Sequence, residues 1–396
     1  MSAPWLTIVG IGEDGVSGLS PAAAAAIRGA EAVFGGARHL ALAGGLIAGE
    51  ALAWPHPLDA AVPAILDRRP RAVAVLASGD PFWFGVGSLL ARHIPAAEWR
   101  VLPAPSAFAL ACARLGWALQ DCATISFCGR PLEPLRPLLQ PGARILALSA
   151  DAGTPSLVAA LLRDAGFGAS RVRVLEAMGG PDERIRDYAE GATFAPLNLL
   201  AIEPAGGVAL PLASGLPDAM FAHDGQLTKR EIRAVTLSSL APRRGELLWD
   251  IGCGSASVAI EWLLRHPANR AVAIEPRADR AERAAANAVA LGAPQLRLVR
   301  GRAPAALAGL DAPDAVFVGG GGHEPGVIDA AWAALPRDGR LVANAVTVET
   351  EAALIAARAR LGGTLIRIGI ERLGSIGGRH GFRPAMTITQ FVAVKP

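Results

Sequence analysis

The stretch 247–257, LLWDIGCGSAS, holds residues whose types and spacing can do chemistry. An apolar run ends in a carboxylate, Asp250, and passes at once into a glycine loop, Gly252 and Gly254, that opens a helix. In doubly wound α/β folds the ligand crevice lies outside the carboxyl ends of the strands, and glycines there let main chain approach the ligand. A second carboxylate, Glu275, ends the next apolar run at the distance where such folds grip a ribose diol. The four residues suggest an adenosine-type ligand. A dinucleotide loop of the form G-x-G-x-x-G/A is not excluded, since Ser257 is small. A pyrophosphate loop needs no carboxylate before its first glycine, however. Asp250 would repel phosphate but can hold a cationic amino-acid head group, which favours S-adenosylmethionine (SAM) over NAD.

Further strand exits point to the same crevice. The run 314–318 leads into Gly319, Gly320, Gly321 and Gly322, an entropically costly segment that permits close main-chain approach. Asn344 ends the following run, with Thr347 and Glu349 just beyond. His323 and Glu324 read either as proton carriers or as a surface pair. The basic, glycine-rich segment 372–383 carries Arg372, Arg379, His380 and Arg383. It reads either as a loop folding over the site to meet carboxylates through bidentate arginine contacts, or as a solvated hairpin loop.

These residues need elements to position them, and the chain is long enough to supply two sets. At 396 residues it exceeds the size at which one core stops growing, so two domains of roughly 200 residues are expected. No apolar run approaches the ~18 residues of a membrane span. The chain enters a strand-like LTIVG with no basic leader, and its four cysteines form no C-x-x-C pair. A cytoplasmic protein without membrane, metal or disulfide framework is expected. A net charge of +3 does not suggest a nucleic-acid partner. Only Lys229 and Lys395 of the 38 basic residues are lysine, which fits a GC-rich genome or a polyanionic substrate suited to arginine's planar fork.

Short apolar runs alternating with alanine-rich stretches predict an α/β chain. Strands are expected at 6–10, 72–76, 100–103, 124–127, 144–149, 171–176 and 198–203. The glycine- and proline-rich stretch 206–222 reads as a linker between domains at 1–205 and 223–396. Thr228 and Glu231 predict a capping box at a helix start. Six βα-like units follow, with strands at 247–249, 271–274, 296–299, 314–318, 340–343 and 364–368, and a closing edge strand at 386–394.

The second half resembles the class I SAM-dependent methyltransferases, a Rossmann-like fold, and more narrowly the carbon-15 methyltransferase/decarboxylases of the corrin pathway. The resemblance rests on Asp224-Gly-Gln-Leu-Thr228-Lys229-Arg-Glu231, Trp249-Asp-Ile-Gly-Cys-Gly254-Ser255, Val318-Gly-Gly-Gly and Asn344-Ala-Val-Thr347-Val-Glu349. Ala256 stands where the family usually has a third glycine. The first half resembles the tetrapyrrole methylases, a separate SAM-binding fold of two α/β subdomains. Here the residues are Val9-Gly-Ile-Gly-Glu-Asp-Gly15, Leu76-Ala-Ser-Gly-Asp-Pro81, Ser126-Phe-Cys-Gly-Arg130 and Glu176-Ala-Met-Gly-Gly-Pro-Asp-Glu183-Arg184. Cys128 stands where family members commonly carry histidine, and Pro103-Ala-Pro-Ser106 where they carry P-G-x-S.

The pairing is similar to the fused precorrin methyltransferases of aerobic cobalamin biosynthesis. It implies SAM-dependent methylation of precorrin-6Y at ring carbons 5, by the first domain, and 15, by the second. It further implies decarboxylation of the carbon-12 acetate. By the same resemblance, Asp250, Gly252, Gly254, Glu275, Gly319, Gly320 and Thr228 form the second domain's SAM cradle. Gly10, Gly12, Gly79, Asp80 and Ser106 approach SAM in the first. Asn344 and Thr347 are the candidate catalytic residues lining the macrocycle. Arg130, Arg372, Arg379, His380 and Arg383 are the candidate contacts to a polycarboxylate tetrapyrrole, and a homo-oligomer is expected. The alternatives are another SAM-dependent methyltransferase acting on RNA or a small molecule, an NAD-dependent oxidoreductase, or a SAM-sensing module without turnover.

Overall fold

The computed structural model describes residues 4–396. It divides into two compact units. One holds the described residues up to Leu132 together with Gln140–Val208, and the other holds Glu133–Leu139 with Ala209–Pro396. Among the described residues no helix is long and apolar enough to cross a membrane.

The first unit has two sheets. Five parallel strands, β1 (Leu6–Ile11), β2 (Ala32–Gly35), β3 (Glu50–Ala53), β4 (Val73–Ser78) and β5 (Trp99–Leu102), run in the order β3-β2-β4-β1-β5. β1 and β4 read LTIVGI and VAVLAS and are buried along almost their whole length, as central parallel strands must be. The second sheet comprises β6 (Cys122–Ser126), β7 (Arg144–Leu148), β8 (Arg171–Glu176), β9 (Arg184–Asp187) and β10 (Asn198–Glu203), ordered β6-β7-β10-β8-β9. Only its β6–β7 contact is parallel. β2, β3 and β9 are not expected from the sequence pattern. β3 and β9 are edges, and β9 reads RIRD with every residue exposed, so no apolar alternation marks it.

In the second unit, β11 (Leu247–Ile251), β12 (Arg270–Glu275), β13 (Arg297–Arg300), β14 (Ala315–Val318), β15 (Arg340–Ala345), β16 (Thr364–Ile368) and β19 (Ile388–Val394) form one sheet. Its order is β13-β12-β11-β14-β15-β19-β16, with β19 antiparallel to both neighbours. The chain winds outward from β11 to β13 and returns to place β14 beside β11, so the topological switch point lies at the carboxyl ends of β11 and β14. Helices Arg230–Leu240, Ser257–Arg265 and Ala278–Ala290 pack on one face, and Val327–Ala334 and Val348–Leu361 on the other. The segment 372–383 is mostly not a loop. It is a two-stranded hairpin of β17 (Glu371–Ile376) and β18 (Arg379–Pro384). Gly377 and Gly378 both have positive φ, as a two-residue type I′ turn requires.

Two expectations about the entry to this unit need correcting. Beyond Val208 the stretch 206–222 is not a free linker, because Leu210, Leu216 and Phe221 are buried in the core under the first helices. The backbone N–H groups of Gly215 and Leu216 donate to the buried Glu261 carboxylate at 2.7 and 2.8 Å. Glycine and proline here serve irregular packed chain, held by side-chain acceptors. The capping box is also not made. The helix starts at Arg230 with Lys229 as its cap residue and no side-chain cap bond, and Thr228's carbonyl instead accepts from the buried Arg233 guanidinium. A buried arginine needs carbonyl and carboxylate partners for its N–H groups, and this one takes the Thr228 carbonyl at the helix entry together with the Leu216 carbonyl and the Glu261 and Asp218 carboxylates.

Candidate functional site

The switch point of the second unit opens into a cleft of about 1350 Å³, part of it open to solvent. Its floor is the main chain of Gly252, Gly254, Gly319 and Gly320; Thr228 and Asn344 also face it. A smaller cleft of about 740 Å³ shares Gly252, Gly320 and Arg280 with it and is lined by Glu275, Arg302 and His323. Gly252 has φ +69°, and a β-carbon there would sit 2.7 to 2.8 Å from the main chain of Gly320. The Gly319 N–H donates to the Ile251 carbonyl at 3.0 Å, so the two loops are tied together where they meet. Glycine at 252 is thus required first by the neighbouring loop. Gly254, also left-handed, has only the Gln226 carbonyl, at 3.5 Å, near its missing side chain.

Glu275, which lines the smaller cleft, is held by two backbone donors, the N–H groups of Gly254 at 3.0 Å and Arg277 at 3.1 Å. Asp250 is placed differently from its neighbours in the motif. It lines neither cleft and is 1% exposed, because it shares the sheet face of Leu248 that helix Ser257–Arg265 covers. One carboxylate oxygen accepts from the Ala259 N–H at 3.1 Å, and the other has no partner. Ala256, the cap residue of that helix, has φ +57° and no capping side chain, so Asp250 supplies the missing acceptor from below. Burial pushes its pKa up to about 7, and the Glu275 charge adds to this. Burial likewise pushes up the Cys253 thiol beside it, which keeps that wall uncharged.

The remaining candidates separate into two groups. Asn344 lines the large cleft, and so does Arg372, which pairs with Glu231 at the same wall. Thr347 does not. It caps helix Val348–Leu361, accepting from the Thr350 N–H at 3.3 Å. Arg379, His380 and Arg383 are exposed along the hairpin outside the lining, and Arg383 donates to the Ser375 carbonyl at 2.7 Å. His323 and Glu324 line the small cleft, where Glu324 accepts from Arg302 at 2.7 Å. Sequence reasoning missed Arg280, which faces both clefts and donates to Asp224 at 2.8 Å, holding that carboxylate down to about 2. Its spacing on helix Ala278–Ala290, just after Glu275, was the available clue.

The first unit has its own cleft, about 490 Å³, lined by Gly12, Glu13, Arg38, Ser78, Gly79 and Asn198 among others. Gly10 is not in its lining. A β-carbon there would lie 1.8 Å from the Gly79 carbonyl oxygen, so this glycine serves the contact between the end of β1 and the loop after β4. Asp80 folds back to accept from the Phe82 N–H at 2.9 Å, and the Ser106 hydroxyl caps helix Ala107–Leu115, accepting from the Ala109 N–H at 3.2 Å. Both side chains sit outside the lining. Arg130 is exposed with its guanidinium 5.0 Å from the Phe84 ring centre. Arg38, which the sequence reading passed over, pairs with Glu13 and donates to Ser78 at 2.8 Å and to His39 at 2.9 Å. Burial, and then the Arg38 charge, hold His39 down to about 4.

Comparison with known proteins matches both halves. Residues 5–190 fit the model of the tetrapyrrole (corrin/porphyrin) methylases, and residues 219–395 that of the precorrin methyltransferase domain. The chain is 56% identical to a Sinorhizobium precorrin-6Y C(5,15)-methyltransferase [decarboxylating], covering 98% of this chain and 96% of that protein. It is 41% identical to a Mycobacterium tuberculosis protein of the same name, covering 98% and 100%. The crystal structure of the C-terminal domain of precorrin-6Y C5,15-methyltransferase from Rhodobacter capsulatus shares 48% identity, with a TM-score of 0.45 over 47% of this chain and all of that one. With a tetrapyrrole methylase unit followed by a precorrin methyltransferase unit, and similarity running end to end, the chain belongs to the family of decarboxylating precorrin-6Y C(5,15)-methyltransferases.

Proposed function

We propose that this chain uses SAM to methylate precorrin-6Y at ring carbons 5 and 15 and removes carbon dioxide from the carbon-12 acetate. The observation that carries the reading is end-to-end similarity to proteins of that name, joined to a separate glycine-rimmed cleft in each compact unit. The first unit takes carbon 5 in this reading, and the second takes carbon 15 and the decarboxylation.

The chemistry asks little of the side chains. When bound, SAM supplies a methyl group already activated by its sulfonium. The attacking meso carbon belongs to an electron-rich, enamine-like system, so no strong base is needed. What remains is alignment, and proximity can supply roughly 7–11 kcal/mol of the barrier reduction. In the second unit Gly252, Gly254, Gly319 and Gly320 offer bare main chain to the donor, with Glu275 for the ribose hydroxyls. Asp250 acts one layer back, fixing the helix that starts at the loop. Asn344 and Arg372 face the acceptor, and Arg372 suits one of its carboxylates. Arg130 has the same task in the first unit. Thr347, Arg379, His380 and Arg383 take no direct part in this reading.

The test is incubation of the full chain with SAM and precorrin-6Y, followed by mass spectrometry. A product with two methyl groups gained and one carbon dioxide lost is expected. Unchanged substrate, or a product that gains no methyl group, would refute it.

A further inference from the structure

We propose that Gln390 is a positioning residue for the acceptor end of the large cleft, acting through Asn344; the proposal rests on the methyltransferase reading above. Gln390 stands directly opposite Asn344 across the β15–β19 ladder and is fully buried. Directly opposed residues project to the same face of a sheet, and helix Arg230–Leu240 on that face supplies Thr236 and Ser239. Gln390 Nε2 donates to Thr236 Oγ1 at 3.1 Å and to Asn344 Oδ1 at 2.9 Å, while its Oε1 accepts from Ser239 Oγ at 2.9 Å. Asn344 Nδ2 donates to the same Thr236 oxygen at 2.9 Å. Of these four residues Asn344 alone lines the cleft.

A count of donors and acceptors fixes which way the two amides face. Gln390 spends both N–H groups on oxygen. Turning Asn344 alone would set its NH₂ against the NH₂ of Gln390. Turning both amides would aim two carbonyl oxygens at Thr236 Oγ1, which has one proton to give. In the arrangement found, Asn344 keeps one N–H and one carbonyl lone pair uncommitted to the network. A held amide of this kind presents a donor and an acceptor at fixed places on the cleft wall. Its complement is an acceptor molecule with both pyrrole-type nitrogens and carboxylates, and the meso carbon between two such rings is thereby registered against the donor's methyl.

A double-mutant cycle in the full-length protein separates this role from simple core packing. The variants are Gln390→Leu, Asn344→Ala and the pair. The readouts are kcat for carbon-15 methylation, the acceptor KM, SAM affinity by calorimetry and the thermal midpoint. Gln390→Leu is expected to lower kcat roughly tenfold to a hundredfold, the scale of a misplaced reacting contact, while leaving SAM affinity unchanged. It should cost nothing further once Asn344 is alanine. Thr236→Val deletes the shared acceptor at almost constant shape, should lower kcat in the same direction, and carries the test if Gln390→Leu does not fold. An equal loss of kcat with or without Asn344 would overturn the proposal. So would lowered thermal stability with kcat intact, or wild-type turnover in Asn344→Ala. If the wild-type protein methylates nothing, the functional reading itself fails and takes the proposal with it.

Discussion

A β-carbon on Gly252 would come within 2.7 Å of the Gly320 carbonyl oxygen. The loops after β11 and β14 touch there, main chain to main chain, and the cleft floor is the product of that contact. Gly252→Ala adds this clash to a residue already at φ +69°. The substitution should cost about 2 kcal/mol or more of stability and abolish SAM binding in the second unit. Chemical denaturation together with calorimetry checks both. A variant with wild-type stability would show that the loops can part.

Asp250 gives the second unit a definite pH dependence. Its carboxyl titrates at about 7 in the folded protein against an ordinary 3.8, because it is buried with Glu275 nearby. A carboxyl with a raised folded pKa holds its proton more tightly folded than unfolded. Its contribution is therefore complete below the ordinary value, is lost as pH rises towards the folded pKa, and changes no further above it. Asp250→Asn should remove this slope while keeping an acceptor for the Ala259 N–H. Denaturation curves at about pH 5 and about pH 8 should show the variant gaining on the wild type as pH rises. Parallel behaviour would contradict the placement.

Arg233 and Glu261 are both fully buried and meet at 2.5 Å, and together they bind the chain at 215–216 and 228. Glu261→Gln would leave the guanidinium without a balancing charge at its closest charged partner. Breaking such a pair costs about 3–5 kcal/mol. Guanidinium denaturation of the full chain should show the loss in one unit's transition. An unchanged transition would mean the pair is not buried in solution.

The Arg372–Glu231 ion pair at the cleft wall is exposed by contrast. Exposed pairs are worth roughly 0–1 kcal/mol, so Arg372→Gln should leave stability almost unchanged. It should raise the acceptor KM and weaken that KM's dependence on salt, with SAM affinity intact. Steady-state kinetics at two ionic strengths decide this, and an unaltered acceptor KM would remove Arg372 from the site.

Much of the second unit was legible because a doubly wound sheet buries both faces of its strands, so β11, β12, β14 and β15 read as apolar runs ending in glycine or polar residues. The first unit was less legible where strands are edges, as RIRD in β9 shows. Which side of the sheet a motif residue serves was harder still. Asp250 and Glu275 look alike in sequence and share one sheet face, yet Asp250 stands one residue inside its strand, under a helix, while Glu275 ends its strand beside the smaller cleft. Thr347 and Ser106 follow the same logic, since a hydroxyl just before a helix finds its nearest backbone donors three residues on. The Gly377-Gly378 pair was a readable type I′ signal for the hairpin. The Gln390 network was not readable, because its members are brought together only by the β15–β19 register and a helix more than a hundred residues earlier.

The central claim is that each compact unit carries its own donor cleft. Equilibrium dialysis of the full chain against radiolabelled SAM measures this directly. Two equivalents bound per chain are predicted, falling to one in Gly252→Ala, whereas a wild-type chain that saturates at a single equivalent would contradict the account.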